Sequence, residues 1–107
     1  MLTALLGYVL AGMLASAEAD LDCARPGQSR NYIAKLRLAD IEWAEDVHRE
    51  ALWMAFGRCP AGSGQTACRA EQQRRFDAEW QQTKAEIDVK YRKMQEDFEL
   101  RCRASIS

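Results

Sequence analysis

Four cysteines carry the most specific chemistry in this 107-residue sequence: Cys23, Cys59, Cys68 and Cys102. An even number of cysteines in a small chain is typical of the disulfide framework of an exported protein. The spacing contains no Cys-x-x-Cys pair, which structural zinc sites usually use. The cysteines therefore predict two disulfide bonds, with no metal site and no free thiol to act as a nucleophile.

The remaining polar side chains predict no catalytic site. The single histidine, His48, has only Glu45 as a near acid on the same helical face. The Gly-Ser-Gly segment at 62–64 lacks the lysine of a Walker phosphate loop. Asp40 and Glu42 stand two positions apart, so they point in different directions on a helix. We therefore expect no enzyme activity and no cofactor.

Length and charge bound the class of protein further. A chain of 107 residues forms one domain at most. Fifteen lysines and arginines balance 16 acidic residues, so the net charge of −1 gives no general attraction to nucleic acid. Only six glycines and two prolines are present, which favours helices over a disordered chain.

Residues 1–19 predict a signal peptide. They form an apolar stretch with no charged side chain before Glu18, and they end in two overlapping Ala-x-Ala motifs. We expect cleavage after Ala19, which leaves a mature domain at 20–107. The apolar run is short for a membrane span of about 20 residues, and retention as a membrane anchor is the alternative. This leader and the cysteines predict a periplasmic or secreted protein. The composition, rich in alanine and arginine, suggests a bacterial source.

The mature part divides at a segment rich in glycine and proline, residues 57–66. The flanking segments predict two long helices, helix 1 at about 30–56 and helix 2 at about 67–102. We expect Ser29 to be the N-cap of helix 1 and Thr66 the N-cap of helix 2. We expect Gly57 to end helix 1 in the left-handed conformation.

Each predicted helix carries an apolar stripe that repeats every 11 residues. On helix 1 the stripe is Tyr32, Leu36, Ala39, Trp43, Val47, Ala51 and Met54, supported by Ile33. On helix 2 it is Phe76, Trp80, Thr83, Ile87, Tyr91, Met94, Phe98 and Cys102. Eleven residues in three turns is close to the natural period of an α-helix, so the stripes predict a nearly straight pair of packed helices.

Helix length decides between the possible disulfide pairings. Helix 1 is about 40 Å long, so Cys23 and Cys59 lie at opposite ends and cannot approach within the roughly 7 Å that a disulfide allows. An antiparallel hairpin instead pairs Cys59 with Cys68 at the turn and Cys23 with Cys102 at the open end. The same register opposes Ala51 with Phe76, Val47 with Trp80, Leu36 with Tyr91 and Ile33 with Met94. The predicted fold is therefore all-α, an antiparallel two-helix hairpin closed by two disulfides after the signal peptide.

Two surface features point to partners. The first is a second apolar stripe on helix 1, which a two-helix hairpin leaves uncovered and which predicts a protein interface or self-association. It consists of Leu38, Ile41, Leu52 and Phe56.

The second feature is a basic cluster at the turn end: Arg58, Arg69, Arg74 and Arg75. Arg69 falls in the first turn of helix 2, where the helix dipole disfavours a cation. This suggests an anionic partner, such as lipid headgroups or an acidic protein surface. Aromatic residues do not alternate with these arginines, so the cluster lacks the stacking platform of a nucleic-acid site.

The sequence thus predicts an exported, non-enzymatic interaction protein of the bacterial cell envelope that self-associates through helix 1. One alternative is a small secreted or periplasmic enzyme inhibitor that presents the disulfide-tied turn. A second alternative is a membrane-associated envelope component that keeps its N-terminal anchor or uses its basic turn end.

Overall fold

The computed structural model describes residues 21–106, so the predicted signal peptide lies outside the described range. Two α-helices account for most of it, α1 at Pro26–Gly57 and α2 at Gln65–Ile106, joined by a turn at 58–64. No strand occurs between residues 21 and 106. The all-α class and the helical hairpin with two disulfides are confirmed.

The chain forms two compact units, each of which takes a segment from both helices. The turn unit is Arg37–Lys90, and the terminal unit comprises the described residues before 37 and after 90. Both predicted disulfides are present. Cys23 and Cys102 close the terminal unit with their Cα atoms 5.2 Å apart. Cys59 and Cys68 close the turn unit with their Cα atoms 5.8 Å apart.

The beginning of α1 differs from the prediction. The helix begins at Pro26, whose fixed φ and missing N–H suit the first helical position. Ser29, predicted as the N-cap, lies inside the first turn and is buried. Its hydroxyl accepts a bond from the Asp22 N–H at 2.9 Å and donates to the Asp22 carbonyl at 3.1 Å. Ser29 therefore anchors the segment that leads into the helix.

The end of α1 also differs from the prediction. Gly57 is the last helical residue, but it does not adopt the left-handed conformation expected of it. The N–H groups of Arg58 and Cys59 bond to carbonyls three residues back, at 3.2 and 3.1 Å, which tightens the final turn. Among residues 21–106 the positive φ falls on Gly62, at 127°, in the middle of the turn.

The second helix begins two residues earlier than predicted. Gln65 is its first residue, and the Cys68 N–H donates to the Gly64 carbonyl at 3.0 Å. Gly64 therefore holds the N-cap position, and Thr66, predicted as the N-cap, lies in the first helical turn. Glycine is tolerated at an N-cap almost as well as a hydroxyl residue.

The apolar stripe of α2 is confirmed as its packing face. Tyr91 and Phe98 are buried, and the other members of the stripe are half-buried. The stripe of α1 has the correct period but is only partly correct in its residues. Ile33 is buried and Tyr32, Leu36 and Ala51 are half-buried, but the other members are exposed. The buried line follows Ile33, Ala44 and Ala55, which also recur every 11 residues, whereas Trp43 and Met54 are exposed.

A displacement of one residue turns the packing face of α1 by about 100°. The predicted stripe follows the largest apolar side chains of α1, whereas the line of residues that faces α2 consists mainly of small and polar side chains. Small residues allow closer packing of the opposite helix, and polar residues on the line find partners across the hairpin. Asp40 and His48 are two such residues, and both belong to the turn unit.

Candidate functional site

The surface of the turn unit is unusually apolar. Seven large hydrophobic side chains are exposed in the described part of the chain, and six of them lie in the turn unit. Four of the six are close together on α1, with exposed fractions of 40% for Trp43, 38% for Val47, 72% for Trp53 and 65% for Met54. We call these four residues the tryptophan face.

Helix geometry explains why this face points outward. Trp43 directly precedes Ala44, and Met54 directly precedes Ala55. Since the two alanines are buried, a step of about 100° per residue turns the preceding side chains away to solvent. The small residues that allow close helix packing thus place large apolar neighbours on the surface.

An open groove of about 390 Å³ runs along this surface. It is lined by Trp43, Asp46, Val47, Arg49, Glu50 and Trp53. Arg49 is paired on its own helix, at 2.8 Å from the Glu45 carboxylate and 3.7 Å from that of Asp46. An apolar centre with a rim of paired charges is the usual anatomy of a protein interface.

The predicted second stripe of α1 is only partly uncovered. Leu38 is 54% exposed, whereas Ile41, Leu52 and Phe56 are half-buried. The ring of Phe56 lies 5.9 Å below the guanidinium of Arg69 on α2, a cation–π distance. Phe56 therefore contacts α2, so the hairpin does not leave this stripe uncovered at that residue.

The four arginines of the basic cluster are all exposed, but two of them already have partners within the chain. Arg69 covers Phe56, and Arg74 forms an ion pair with Glu71 one turn earlier. Arg58 and Arg75 make no ion pair with any residue between 21 and 106. The contact with Phe56 accounts for a cation in the first turn of α2 without an external anion.

Polar contacts across the hairpin were not foreseen from the sequence. In the turn unit, His48 Nε2 lies 3.2 Å from Thr83 Oγ1, and its ring meets the Trp80 ring edge-on at 5.6 Å. The buried carboxylate of Asp40 accepts a bond from Lys90 Nζ at 3.4 Å. The antiparallel register places these residues opposite one another. The register was therefore the feature of the sequence from which these contacts could have been predicted.

A second pair from the same helices ties Arg37 to Asp88, where Nε donates to Oδ1 at 2.7 Å. In the terminal unit, Arg30 binds Glu99 with two parallel bonds of 2.5 and 3.1 Å. These hydrogen bonds lower the pKa of the Glu99 carboxyl and raise the pKa of Arg30, each from its ordinary value. Both pairs are partly exposed, so they fix the register more than they stabilise the fold.

The four cysteines are all oxidised, so none of them offers a thiol. Over the described range there is no group of three or more histidine, cysteine or acidic side chains with the geometry to bind a metal ion. Neither α1 nor α2 is apolar enough over a sufficient length to cross a bilayer.

The structure defines a small α-helical hairpin with a disulfide bond in each of its two units. No family model, no curated protein and no solved structure matches this chain. A proposal about function therefore starts from the groups that the chain itself exposes, above all the tryptophan face.

Proposed function

We propose that this protein is an exported, non-enzymatic interaction protein of the bacterial cell envelope, and that it binds a protein partner through the tryptophan face of α1. The observation that carries the proposal is the exposure of Trp53 and Met54, both more than half open to solvent. Tryptophan and methionine are enriched in protein interfaces, and tryptophan is prominent among the residues that dominate binding energy.

Export to the periplasm or the exterior is the second part of the proposal. Two disulfide bonds in a short chain fit an oxidising compartment, since cytosolic thiols are kept reduced. The apolar segment at 1–19 with its Ala-x-Ala motifs supplies the export signal.

The binding surface is thus displaced from the stripe that the sequence suggested. Leu38 remains on the opposite side of α1 from Trp43, since five residues correspond to about 140° of rotation. Self-association through helix 1 remains part of the proposal, now assigned to the tryptophan face.

Affinity capture with the oxidised protein as bait tests the proposal. We expect a partner from envelope extracts to bind the unaltered protein and the control variant Leu38→Glu, but not Trp53→Glu. Both substitutions place a carboxylate at an exposed site of α1, but Leu38 lies about 22 Å further along the helix axis, outside the groove that Trp53 lines. Equal capture by all three baits would contradict a role for the tryptophan face.

The turn supports a second candidate function, the inhibition of an enzyme. Residues 60–64 are exposed and lie between two cysteines that are joined to each other. A loop constrained in this way loses little conformational entropy on binding, which favours inhibitors. Replacing 60–64 with an unrelated loop of equal length should abolish inhibition and leave binding by the tryptophan face intact.

A further inference from the structure

We infer that a second copy of this chain covers the tryptophan face, with the two α1 helices antiparallel and Trp43 of each copy packed on Met54 of the other. This inference rests on the proposed binding role of that face and names its occupant.

The spacing of the exposed side chains favours a helical occupant. Trp43, Val47, Glu50 and Met54 follow one another at steps of four, three and four residues. Side chains at these steps form a single row, which is the pattern that one helix presents to another. Three of the four are exposed apolar residues, so the row has the composition of a helix-packing surface.

The same row is compatible with its own copy. In an antiparallel pair related by a two-fold axis, opposing residues are placed symmetrically about one point. A point midway between residues 48 and 49 brings Trp43 opposite Met54 at both ends of the contact. Thioether sulfur against an aromatic ring is a favourable contact, and the symmetry provides it twice.

The area available fits a weak dimer. At the exposed fractions given above, the two tryptophans, Trp43 within the row and Trp53 at its edge, present on the order of 200–300 Å². With Val47 and Met54 the patch is near the upper end of what a monomer usually exposes. Two such faces with their polar rims bury about 1,000 Å², the lower limit for a specific interface.

Glu50 is the one polar member of the row, and it sets the affinity. The charges beside it are already paired, because Arg49 binds Glu45 and Asp46 on the same helix. In the proposed pair, Glu50 of each copy lies opposite Val47 of the other, and the two carboxylates come near each other. Glu50→Leu should therefore complete an apolar row and tighten the dimer.

Sedimentation equilibrium of the oxidised protein tests the inference. We expect a reversible dimer whose dissociation constant rises at least about tenfold in Trp43→Glu and in Met54→Glu. The matched control Leu38→Glu should dimerise as the unaltered protein does, and Glu50→Leu should dimerise more tightly. All four sites are exposed, and unchanged helical circular dichroism verifies that the variants remain folded.

An exchange of side chains tests the register. Trp43→Met and Met54→Trp should each weaken the dimer, and the double variant should restore it, because the exchange preserves each tryptophan–methionine contact. A double variant as weak as either single one would show that the pairing is wrong. A monomer at high micromolar concentration, or dissociation by Leu38→Glu alone, would overturn the inference. Capture of a different protein that depends on Trp53 would then still support the proposed function.

Discussion

The terminal unit and the turn unit are built from the same two helices, yet they bury different kinds of side chain. The terminal unit encloses Ile33, Tyr91 and Phe98. The turn unit encloses Ala44 and Ala55 together with Cys59 and the carboxylate of Asp40. Among the fully buried side chains, those of the terminal unit are thus large apart from Ser29, whereas those of the turn unit are small or polar.

The surfaces show the reverse pattern. Leu100 is the one large hydrophobic residue that the terminal unit exposes within the described range, whereas the turn unit exposes six. Aromatic area that is buried stabilises the fold, and aromatic area left outside is available for binding. The difference teaches that stability and recognition are concentrated in different parts of one short chain.

The largest effect should come from the disulfide of the terminal unit. Removing it by the paired substitutions Cys23→Ser and Cys102→Ser opens a loop of 79 residues and should cost about 4–5 kcal/mol. Removing Cys59–Cys68, which spans nine residues, should cost about 2.5–3 kcal/mol. Denaturant unfolding of the two paired variants measures both values.

The same variants locate the damage. Hydrogen exchange in the protein without Cys23–Cys102 should show early loss of protection near residues 95–102, because the segment before α1 is held mainly by Cys23 and by Asp22 with Ser29. Equal loss along the whole of α1 and α2 would contradict a separate contribution from the terminal unit.

The two kinds of aromatic residue should differ next. Phe98 is the most buried large side chain, at 2% exposure, so Phe98→Ala should lower the free energy of unfolding by about 3–4 kcal/mol. Trp53→Ala removes a larger side chain from the surface and should change it by no more than about 0.5 kcal/mol. Urea denaturation measures both values. Comparable losses of unfolding free energy from the two substitutions would contradict the difference between the units.

Two glycines of the turn unit should respond with opposite signs. Gly62 has a φ of 127°, which a β-carbon opposes, so Gly62→Ala should cost about 1–2 kcal/mol. Gly57 is helical with open space around it, so Gly57→Ala should stabilise by up to about 1 kcal/mol. Thermal unfolding of both variants tests whether the left-handed conformation belongs to Gly62 rather than to Gly57.

The smallest effect is the pH dependence of the terminal unit. Because hydrogen bonds from Arg30 lower the pKa of Glu99, the folded state holds its proton less tightly than the unfolded state. The stability that this pair contributes is therefore present above the unfolded pKa and is lost as the pH falls through the lower, folded pKa. Melting temperatures from neutral to acid pH should show this loss, and Arg30→Gln should remove that part of the pH dependence.

The disulfide pairing and the hairpin followed from the sequence because few alternatives were physically possible. A continuous helix separates Cys23 from Cys59 by far more than a disulfide spans, and an antiparallel hairpin also places Cys23 and Cys68 at opposite ends. Only one of the three pairings was then left. The stripe of α2 was also clear, since its aromatic residues have no competing apolar row.

The face of α1 was wrong for an equally physical reason. Hydrophobic size favoured Trp43 and Met54 over the adjacent Ala44 and Ala55, whereas close helix packing favours small side chains. Alanine carries almost no signal of burial by itself. Three members of the tryptophan face, Trp43, Val47 and Met54, thus belong to the predicted stripe, which places them in the interior, whereas Trp53 was not part of the prediction.

The predicted helix ends were wrong because several neighbouring residues at each end are suitable for capping. Ser29, Gly57 and Thr66 are each suitable cap residues. In the structure α1 begins at Pro26, the positive φ falls on Gly62 and the N-cap of α2 is Gly64, which are two to five residues away. Local preferences of similar strength cannot choose among neighbouring positions, and the rest of the fold makes that choice.

The two disulfides also have a consequence for proteolysis. The backbone from Cys23 to Cys102 together with their bond forms a closed covalent ring, and Cys59–Cys68 bridges that ring across the turn. A protease that cuts one peptide bond anywhere in the ring therefore releases no fragment. The molecule also stays in one piece after two cuts when one cut falls between Cys59 and Cys68 and the other falls elsewhere in the ring. Cleaved molecules keep their mass, apart from the added water, until a reductant separates the pieces, so such nicking is visible only on reducing gels.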